Sequence, residues 1–600
     1  MGDPALIDRI SPRVSLLNFE FERPAYGLPA ATSMETPFAR TVAPLFVVLG
    51  LALHFNAAAM ALSSSCWRSF AVCYLLFSFC SFRQDIVATA FATQEYAEKE
   101  ERNLATFQKL AAVNLGGWLV IEKWIRPSLW EGIPDADLLD GSQVQFKSVV
   151  LNKYMSAEGG GGHQVVVNRQ IASGWETFKV WRYSDGIYSF RVFSNQFISA
   201  LNGGGGDVNA TGETTREWER FTLTRNSNNN RVHIKAHNGM YLQAKDSNHL
   251  TADYMSLSEP DWGNNSATFE MTITIASPLH GEYQLANGWG PEKAARVFKN
   301  HRDSFVTDAD FEYLSKIGMN GVRIPVGYWI ASDPNPPKPF VPGSLQALDN
   351  AFVWAENHNM KIIIDLHAVP GSQNGQEHSA SIDGVSQWAS GSDDNGKSYI
   401  DLTLQVIEFL ASRYSERQSL FGIELLNEPM VNDVPIDTLK SYYKKGYDIV
   451  RKYNANTYVI VSQLVGGNPT DLLELGTHFF NAIVDLHYYN VFGDTFANLT
   501  AQQNIDYINN NRHQEIARLN KDSNGLLTFV GEWTNEWAVR GATQADYQRL
   551  GEAQLEIYGH TTAGWAYWNY IIDEPDYNHW DFKQSYEKNY ILRPSNGWIS

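Results

Sequence analysis

The stretch GIELLNEP, residues 422–429, has the composition of a buried β-strand that runs into polar groups. Ile423 and Leu425 suit a strand covered on both faces, whereas Asn427 and Glu428 stand directly before a proline. One carboxylate beside a proline is more often the start of a solvated loop than a catalytic group. The stretch therefore defines a fold and a site only if other strands of the chain end in the same way.

Seven further apolar stretches have the same character. They are AAVNLGGWLV (111–120), GVRIPV (321–326), KIIIDLH (361–367), TYVIVSQ (457–463), AIVDLHYY (482–489), LTFVGEW (527–533) and AGWAYWNY (563–570). Between them, segments such as 344–360 and 399–416 carry apolar residues at three- and four-residue steps, as amphipathic helices do. Eight strands alternating with helices predict an α/β fold, the (β/α)8 or TIM barrel.

A glycine-rich region between the first two strands carries an internal repeat. The segments VVLNKYMSAEGGGG, RVFSNQFISALNGGGG and IKAHNGMYLQAKDSNHL align on Asn152, Asn195 and Asn238, which are spaced by 43 residues. Each repeat offers several short strands separated by turn residues. The repeat predicts a threefold all-β module inserted into the barrel after its first strand.

These patterns divide the 600 residues into four parts, as expected for a chain too long for one compact core. The predicted parts are an N-terminal extension (1–92), the start of the barrel (93–140), the all-β insertion (141–277) and the remainder of the barrel (278–600).

The N-terminal extension contains two apolar blocks, residues 42–62 and 70–82. One interpretation is a membrane anchor within residues 42–82, because the first block approaches the roughly 20 residues that a span needs. The other is a signal peptide that begins at Met60 and directs the protein to the cell exterior or cell wall. We favour secretion. Glycosylation sequons at Asn209, Asn264 and Asn498 are compatible with it and do not decide it.

Composition narrows the class of ligand. A net charge of −19 without a basic stripe argues against nucleic-acid binding. Aromatic residues form 13% of the chain, and flat aromatic faces suit stacking against sugar rings. All three cysteines lie between residues 66 and 80, so disulfides cannot stabilise the rest of the chain.

Polar groups cluster where the predicted strands end, which is where a barrel of this type places its chemistry. Glu428 ends the fourth strand and Glu532 the seventh, so their side chains are expected to face each other across the barrel mouth. Two facing carboxylates are what glycosidic cleavage requires: one protonates the leaving oxygen and the other attacks or activates water. Arg323 could keep the nucleophile ionised, and Asn427 could hold a sugar hydroxyl.

The motifs GVRIPV, DLHAVPGSQNG, IELLNEP, LHYYNVF, VGEW and YWNY together resemble glycoside hydrolase family 5. The opening NLGGWLVIEKWI is similar to the exo-1,3-β-glucanase branch of that family, whose plant members carry a fascin-like insertion at this place. The repeat itself resembles the fascin-like β-trefoil family. The resemblance covers roughly residues 111–600.

The resemblance implies a role for each matching residue. Glu428 matches the general acid/base, Glu532 the nucleophile, and Glu122 a carboxylate that closes the pocket around the terminal glucose. The residues implied to line the sugar subsite are Arg323, His367, Asn427, His487, Tyr489 and Trp568. No metal or organic cofactor is implied, since the reacting groups all come from the protein.

Two positions depart from the family pattern. Gln376 stands where relatives place an aromatic residue that clamps the acceptor sugar, and Arg302 stands where they have tryptophan. The first departure leaves acceptor preference open, and the second is expected to affect helix packing.

The predicted function is that of a monomeric, secreted, retaining hydrolase that releases glucose from β-1,3-glucan or small β-glucosides, with transfer to other acceptors also open. Its partner would be the glycan, with membrane contact only if the N-terminal segment is retained. Two alternatives remain: hydrolysis of another β-glycan such as mannan, and a non-catalytic protein that binds carbohydrate or filaments through the trefoil.

Overall fold

A computed structural model describes most of the chain. The described residues are 109–599 except for 185, 227, 257 and 575–578. The apolar blocks 42–62 and 70–82, on which the signal-peptide and anchor predictions rest, lie outside them. Within the described part of the chain, no helix is long and apolar enough to cross a membrane.

The described residues form twenty β-strands. In chain order these are β1 Leu110–Asn114, β2 Gln143–Ser148, β3 Tyr154–Ala157, β4 Val165–Arg169, β5 Phe178–Ser184, β6 Ile187–Arg191, β7 Phe197–Ala200, β8 Val208–Gly212, β9 Phe221–Arg225, β10 Arg231–Lys235, β11 Tyr241–Asp246, β12 His249–Tyr254, β13 Phe269–Ile275, β14 Gly321–Gly327, β15 Lys361–Ala368, β16 Leu420–Glu424, β17 Tyr458–Ser462, β18 Ala482–Asn490, β19 Leu527–Trp537 and β20 Gly564–Tyr567.

The α-helices of the described residues follow the insertion and alternate with the later strands. They are α1 Glu282–Trp289, α2 Pro291–Ser304, α3 Asp308–Lys316, α4 Ser344–Asn357, α5 Tyr399–Tyr414, α6 Ile436–Tyr453, α7 Asp494–Ala497, α8 Ala501–Tyr507, α9 His513–Asp522, α10 Gln544–Tyr558 and α11 Phe582–Glu587.

Eight parallel strands close into a barrel in the order β1, β14, β15, β16, β17, β18, β19, β20, with β20 pairing back onto β1. This confirms the predicted barrel. Side chains alternate along each strand: Val322 and Ile324 of β14 join the large apolar core, whereas Arg323 between them contacts polar groups of other strands. The barrel interior is therefore polar at the level of Arg323.

Several strand ends differ from the predicted ones. β1 ends at Asn114, six residues early, and Gly117 beyond it adopts a φ of +73°, which an extended strand does not contain. β16 ends before Glu428, whose φ of +44° lies in the left-handed region. β19 continues to Trp537, so Glu532 lies within the strand, and Trp568 lies one residue beyond β20.

The segment between β1 and β14 contains an all-β region, residues 143–275, referred to below as the β region. Its strands β2, β5, β6, β9, β10 and β13 pair in a closed ring, and the hairpins β3/β4, β7/β8 and β11/β12 extend from it. The segments by which the chain leaves and re-enters the barrel lie side by side. Glu122 pairs with Gly281, and Lys123 N donates to His280 O at 2.9 Å.

Candidate active site

The predicted catalytic pair meets at the C-terminal ends of the barrel strands. One carboxylate oxygen of Glu428, one of Glu532 and a ring nitrogen of His487 all lie within 4.8 Å of one another. Glu532 is buried and Glu428 is partly exposed. Two carboxylates this close, with one side open to solvent, can act on the same atom of a bound sugar.

Glu532 is held by two hydrogen-bond donors. The Tyr489 hydroxyl donates to its Oε2 at 2.7 Å, and Arg323 Nη1 donates to its Oε1 at 3.0 Å. His487 Nδ1 lies 3.4 Å from Oε2. These contacts orient the carboxylate and stabilise a negative charge on it.

A backbone irregularity in β19 sets the position of Glu532. The register with β18 shifts so that Leu486 pairs with Val530 and His487 with Glu532, which leaves Gly531 unpaired between them. Gly531 N donates to Asp485 Oδ1 at 2.6 Å. A Cβ at this position would lie 2.1 Å from Asp485 Oδ2, so only glycine fits.

Arg323 is fully buried and links Glu532 to the barrel interior. Its Nε donates to Glu424 Oε2 at 2.7 Å, and its Nη1 lies 3.1 Å from Asp365 Oδ2. Although burial lowers the pKa of Arg323, the charges of Asp365, Glu424 and Glu532 hold that pKa well above its ordinary value. The guanidinium is therefore a permanent positive charge beside Glu532.

The same guanidinium fixes Asn427. Arg323 Nη2 donates to Asn427 Oδ1 at 2.8 Å, which orients the amide so that its Nδ2 is left to donate. Asn427 Nδ2 lies 3.5 Å from His367 Nε2, and His367 Nδ1 lies 2.6 Å from Asp365 Oδ2. The predicted subsite residues on β14, β15 and the segment after β16 are thus one hydrogen-bonded group.

Glu428 lies between two histidines. His487 Nδ1 is 2.7 Å from its Oε1, and His378 Nε2 is 3.3 Å from its Oε2. Burial raises the pKa of Glu428, but hydrogen bonds and charge from His378 and His487 outweigh it and hold the pKa well below its ordinary value. Burial lowers the pKa of His378, whereas the hydrogen bond and charge of Glu428 raise it to about 9. Protonation of either histidine therefore stabilises the negative charge of Glu428.

Glu122 lies beyond β1, in the segment where the chain enters the insertion. Trp124 Nε1 donates to its Oε2 at 2.9 Å. Burial raises the pKa of Glu122 to about 8, and the charge of Glu532 also raises it. At neutral pH this side chain is a carboxylic acid that can both donate to and accept from sugar hydroxyls.

Replacing Glu122 with glutamine should change the pH dependence of stability. The folded protein keeps this proton up to a pKa of about 8, whereas the unfolded chain loses it near 4.5. The stabilisation from the neutral acid is therefore complete below pH 4.5 and disappears as pH rises to 8. As pH rises from 5 to 8, we expect the unfolding free energy of Glu122→Gln to increase relative to that of the wild type by on the order of a few kcal/mol. Urea unfolding at each pH measures this difference. An unfolding difference that is constant across that range would contradict the raised pKa.

Aromatic rings surround the open side of the site. Trp568 stacks on His367, with ring centroids 5.5 Å apart and planes at 6°. Tyr489, Phe492 and Trp580 are in mutual ring contact, and Phe492 is 42% exposed. The exposed ring of Phe492 lies against Tyr489, which donates to Glu532, and so offers a face on which a sugar ring could stack near Glu532.

Among the residues that the structure describes, two clusters of titratable side chains have the spacing of metal ligands. They are Glu424, Asp485 and His487, and Glu428, His487 and Glu532. In both, Arg323 already contacts a carboxylate, at 2.7 Å for Glu424 and 3.0 Å for Glu532. The positive charge of Arg323 offsets the negative charge of these carboxylates, so the guanidinium supplies a cation at both clusters.

Sequence reasoning missed residues that complete the site. Glu424, Asp365, Asp485 and Asn114 are buried partners of the predicted residues, and His378 contacts Glu428. The signal for Asp365 and Asp485 was available, because each lies two positions before a predicted histidine and so on the same face of its strand. His378 lies in a long loop, where no periodicity predicts a position.

The two departures from the family pattern have different surroundings. Arg302 is buried in α2, where it pairs with Glu282 Oε1 at 3.2 Å and donates to Pro342 O at 2.9 Å. It therefore acts in packing, as expected. Gln376 lies in the loop after β15, and its backbone N donates to Asn374 Oδ1 at 3.0 Å.

Comparison with known proteins adds an independent observation. The model of the cellulase family, glycosyl hydrolase family 5, matches residues 287–574. A domain of unknown function, DUF7910, matches residues 135–274. The probable glucan 1,3-beta-glucosidase A of Aspergillus clavatus is 30% identical over 323 residues, which are 48% of this chain and 75% of that protein.

Two further proteins are similar to about half of this chain. The glucan 1,3-beta-glucosidase of Pichia angusta is 30% identical over 332 residues, covering 48% of this chain and 73% of that protein. The crystal structure of rutinosidase from Aspergillus niger covers 52% of this chain and 88% of its own, at 20% identity and a TM-score of 0.44.

A parallel barrel whose strand ends carry paired carboxylates, matched to these sequences, defines the chain as a glycoside hydrolase. Within that class it belongs to glycoside hydrolase family 5.

Proposed function

We propose that this hydrolase releases terminal β-glucosyl units from β-1,3-glucan or small β-glucosides, with retention of configuration at the anomeric carbon. The observation that carries the retaining mechanism is the approach of Glu428 and Glu532 oxygens to within 4.8 Å. Retaining enzymes place their two carboxyl groups about 5–5.5 Å apart, whereas inverting enzymes leave about 6.5–9.5 Å for a water molecule.

The geometry supports one assignment of the two roles. Glu532, oriented by Tyr489 and Arg323, attacks the anomeric carbon as the bond to the leaving oxygen breaks. Glu428 gives that oxygen a proton, so the alcohol leaves neutral and the sugar stays bound as an ester of Glu532. Water then attacks the same carbon, Glu428 takes its proton, and β-glucose leaves.

Asn427 contributes a hydrogen bond to the sugar. Because Arg323 occupies its Oδ1, the amide presents Nδ2 to the 2-hydroxyl, where a hydrogen bond strengthens in the transition state. Transfer to a second sugar uses the same ester with a hydroxyl in place of water, and the exposed Phe492 provides a surface for such an acceptor.

The substrate class rests on the relatives and on Glu122. Two relatives named as glucan 1,3-beta-glucosidases support a β-1,3-linked glucan. Glu122, buried and neutral at pH 7, would close one end of the pocket around the terminal sugar and favour exo action. We further infer that the β region is a β-trefoil of the fascin-like class, supported by its ring of six strands and three hairpins, and that the enzyme acts outside the cell as a monomer.

The test of the mechanism is the anomer of the first product. Laminari-oligosaccharides are incubated with the full chain, and the released glucose is followed by proton NMR before mutarotation. We expect β-glucose first. An initial burst of α-glucose would exclude the ester intermediate, and absence of any release would exclude the substrate class.

Replacing Glu428 with alanine should separate substrates by their leaving groups. We expect kcat/KM to fall by about 10²–10⁴-fold for laminaribiose, whose leaving alcohol needs a proton. A 2,4-dinitrophenyl β-glucoside, whose leaving group needs none, should form the glucosyl ester nearly as fast as with the wild type. Equal losses on both substrates would contradict the acid/base role.

A further inference from the structure

The loop between β15 and α5, residues 369–398, contacts both the acid/base and the β region. His378 of this loop places Nε2 3.3 Å from Glu428 Oε2. Asp383, five residues later, contacts the inserted β region. The loop is therefore a direct structural link between the insertion and Glu428.

The loop fixes His378 against Glu428 through Asn374. Asn374 Nδ2 lies 2.9 Å from His378 Nε2 and also donates to Glu428 O at 3.0 Å, while its Oδ1 accepts from Gln376 N at 3.0 Å. A ring nitrogen either accepts or donates, and the negative charges around His378 favour the protonated imidazole, whose Nε2–H faces Glu428 Oε2 at 3.3 Å.

The β region holds the same loop by a buried ion pair. Arg191 Nη1 donates to the Asp383 carboxylate at 2.9 and 3.1 Å, and Trp181 Nε1 donates to it at 2.8 Å. The side chains of Arg191 and Asp383 are 3% and 1% exposed. Lys179 Nζ adds a bond to Asp383 O at 3.1 Å.

The segment by which the chain re-enters the barrel also hydrogen-bonds to the loop that carries His378 and Asp383. His280 N donates to Glu377 Oε2 at 2.9 Å, directly beside His378. Gln284 Nε2 donates to Ser381 O at 2.8 Å and Ile382 O at 3.0 Å. The insertion and its exit thus hold the loop on both sides of His378, at Glu377 and at residues 381–383.

We propose that His378 is a positioning residue that shares the catalytic proton with Glu428, and that the β region serves catalysis by holding His378 in place through Arg191 and Asp383. This rests on the proposed acid/base role of Glu428. In the glycosylation step the proton between Glu428 Oε2 and His378 Nε2 passes to the leaving oxygen, and in deglycosylation the proton of the attacking water replaces it.

The charged groups around His378 determine how this proton titrates. Glu428, Glu122 and Glu532 each favour the protonated imidazole, and Glu377 is adjacent in sequence. The His367 ring lies 5.4 Å away. Loss of the shared proton should therefore set the alkaline limb of the pH profile of kcat/KM.

The experiment compares four single variants of the full chain on laminaribiose and on 2,4-dinitrophenyl β-glucoside. His378→Asn removes the imidazole, while Arg191→Gln and Asp383→Asn each remove one charge of the buried ion pair. The matched control is Arg225→Gln, which removes an exposed ion pair with Asp137 in the same region. Thermal unfolding of each variant checks that the chain folds.

For His378→Asn we expect kcat/KM on laminaribiose to fall about tenfold or more. The dinitrophenyl substrate should be nearly unaffected, and the alkaline limb should move to lower pH by about one unit. Arg191→Gln and Asp383→Asn should change the same quantities in the same direction, and Arg225→Gln should change none.

Equal losses on both substrates with an unmoved alkaline limb would overturn the role of His378. If the Arg191 and Asp383 variants matched Arg225→Gln while His378→Asn showed the full effect, the role of the β region would be overturned. If the wild type cleaved neither substrate, or if Glu428→Ala cleaved laminaribiose as the wild type does, the proposed function itself would fail.

Discussion

Glu532→Gln should lower kcat by about 10⁴-fold or more, as expected when a nucleophile is removed from an otherwise intact site. The amide has no charge with which to attack the anomeric carbon. It does keep an oxygen that accepts from Arg323 or Tyr489, so the fold and the substrate affinity should change little. The measurement is kcat on an aryl β-glucoside, with the thermal unfolding midpoint as the check on folding.

Azide distinguishes the two carboxylates. In Glu532→Gly the small anion can enter the vacated space and attack from the nucleophile's side, which gives α-glucosyl azide. In Glu428→Ala the ester on Glu532 still forms, so azide attacks it from the opposite side and gives the β-azide. The same azide anomer from both variants, or activity of Glu532→Gln close to that of the wild type, would contradict the assigned roles.

The barrel and both carboxylates could be predicted because they follow from local sequence. Buried parallel strands are nearly continuous apolar runs, and a polar residue that ends such a run, like Glu428, is conspicuous. Glu532 was placed correctly at the barrel mouth although β19 continues past it. Its position depends on the shifted register at Gly531, and such a shift follows from tertiary contact with Asp485.

The residues that hold the site were harder to predict. Glu424 stands inside GIELLNEP, but a single carboxylate within an apolar strand does not indicate a role by itself. Its role follows from the contact with Arg323 of β14, whose Nε lies 2.7 Å from Glu424 Oε2. That pairing is set by barrel register, which a single sequence does not contain. The contact of His378 with Glu428 depends in turn on a loop whose path is determined by the β region.

Arg323→Met should cause the largest loss of stability of any substitution considered. The guanidinium is fully buried and contacts Asp365, Glu424 and Glu532 within 3.1 Å. Removing it leaves three carboxylates close together without a cation, and breaking a buried pair in this way costs about 3–5 kcal/mol of unfolding free energy. Urea unfolding at pH 7 measures the loss, and activity should fall with it because Asn427 and Glu532 lose their orientation.

The matched control is Arg413→Met, which removes a partly exposed ion pair with Asp349 at 2.6 Å and should cost at most about 1 kcal/mol. The pH dependence adds a second criterion. Burial already raises the pKa of Glu424 well above 4.5, with Arg323 opposing that rise, so Glu424 must fold protonated in the variant. Protons are then taken up on folding, and the deficit of Arg323→Met should shrink as pH falls towards 4.5. A deficit equal to that of Arg413→Met, or one that grows on acidification, would show that Arg323 does not serve as the cation that balances these carboxylates.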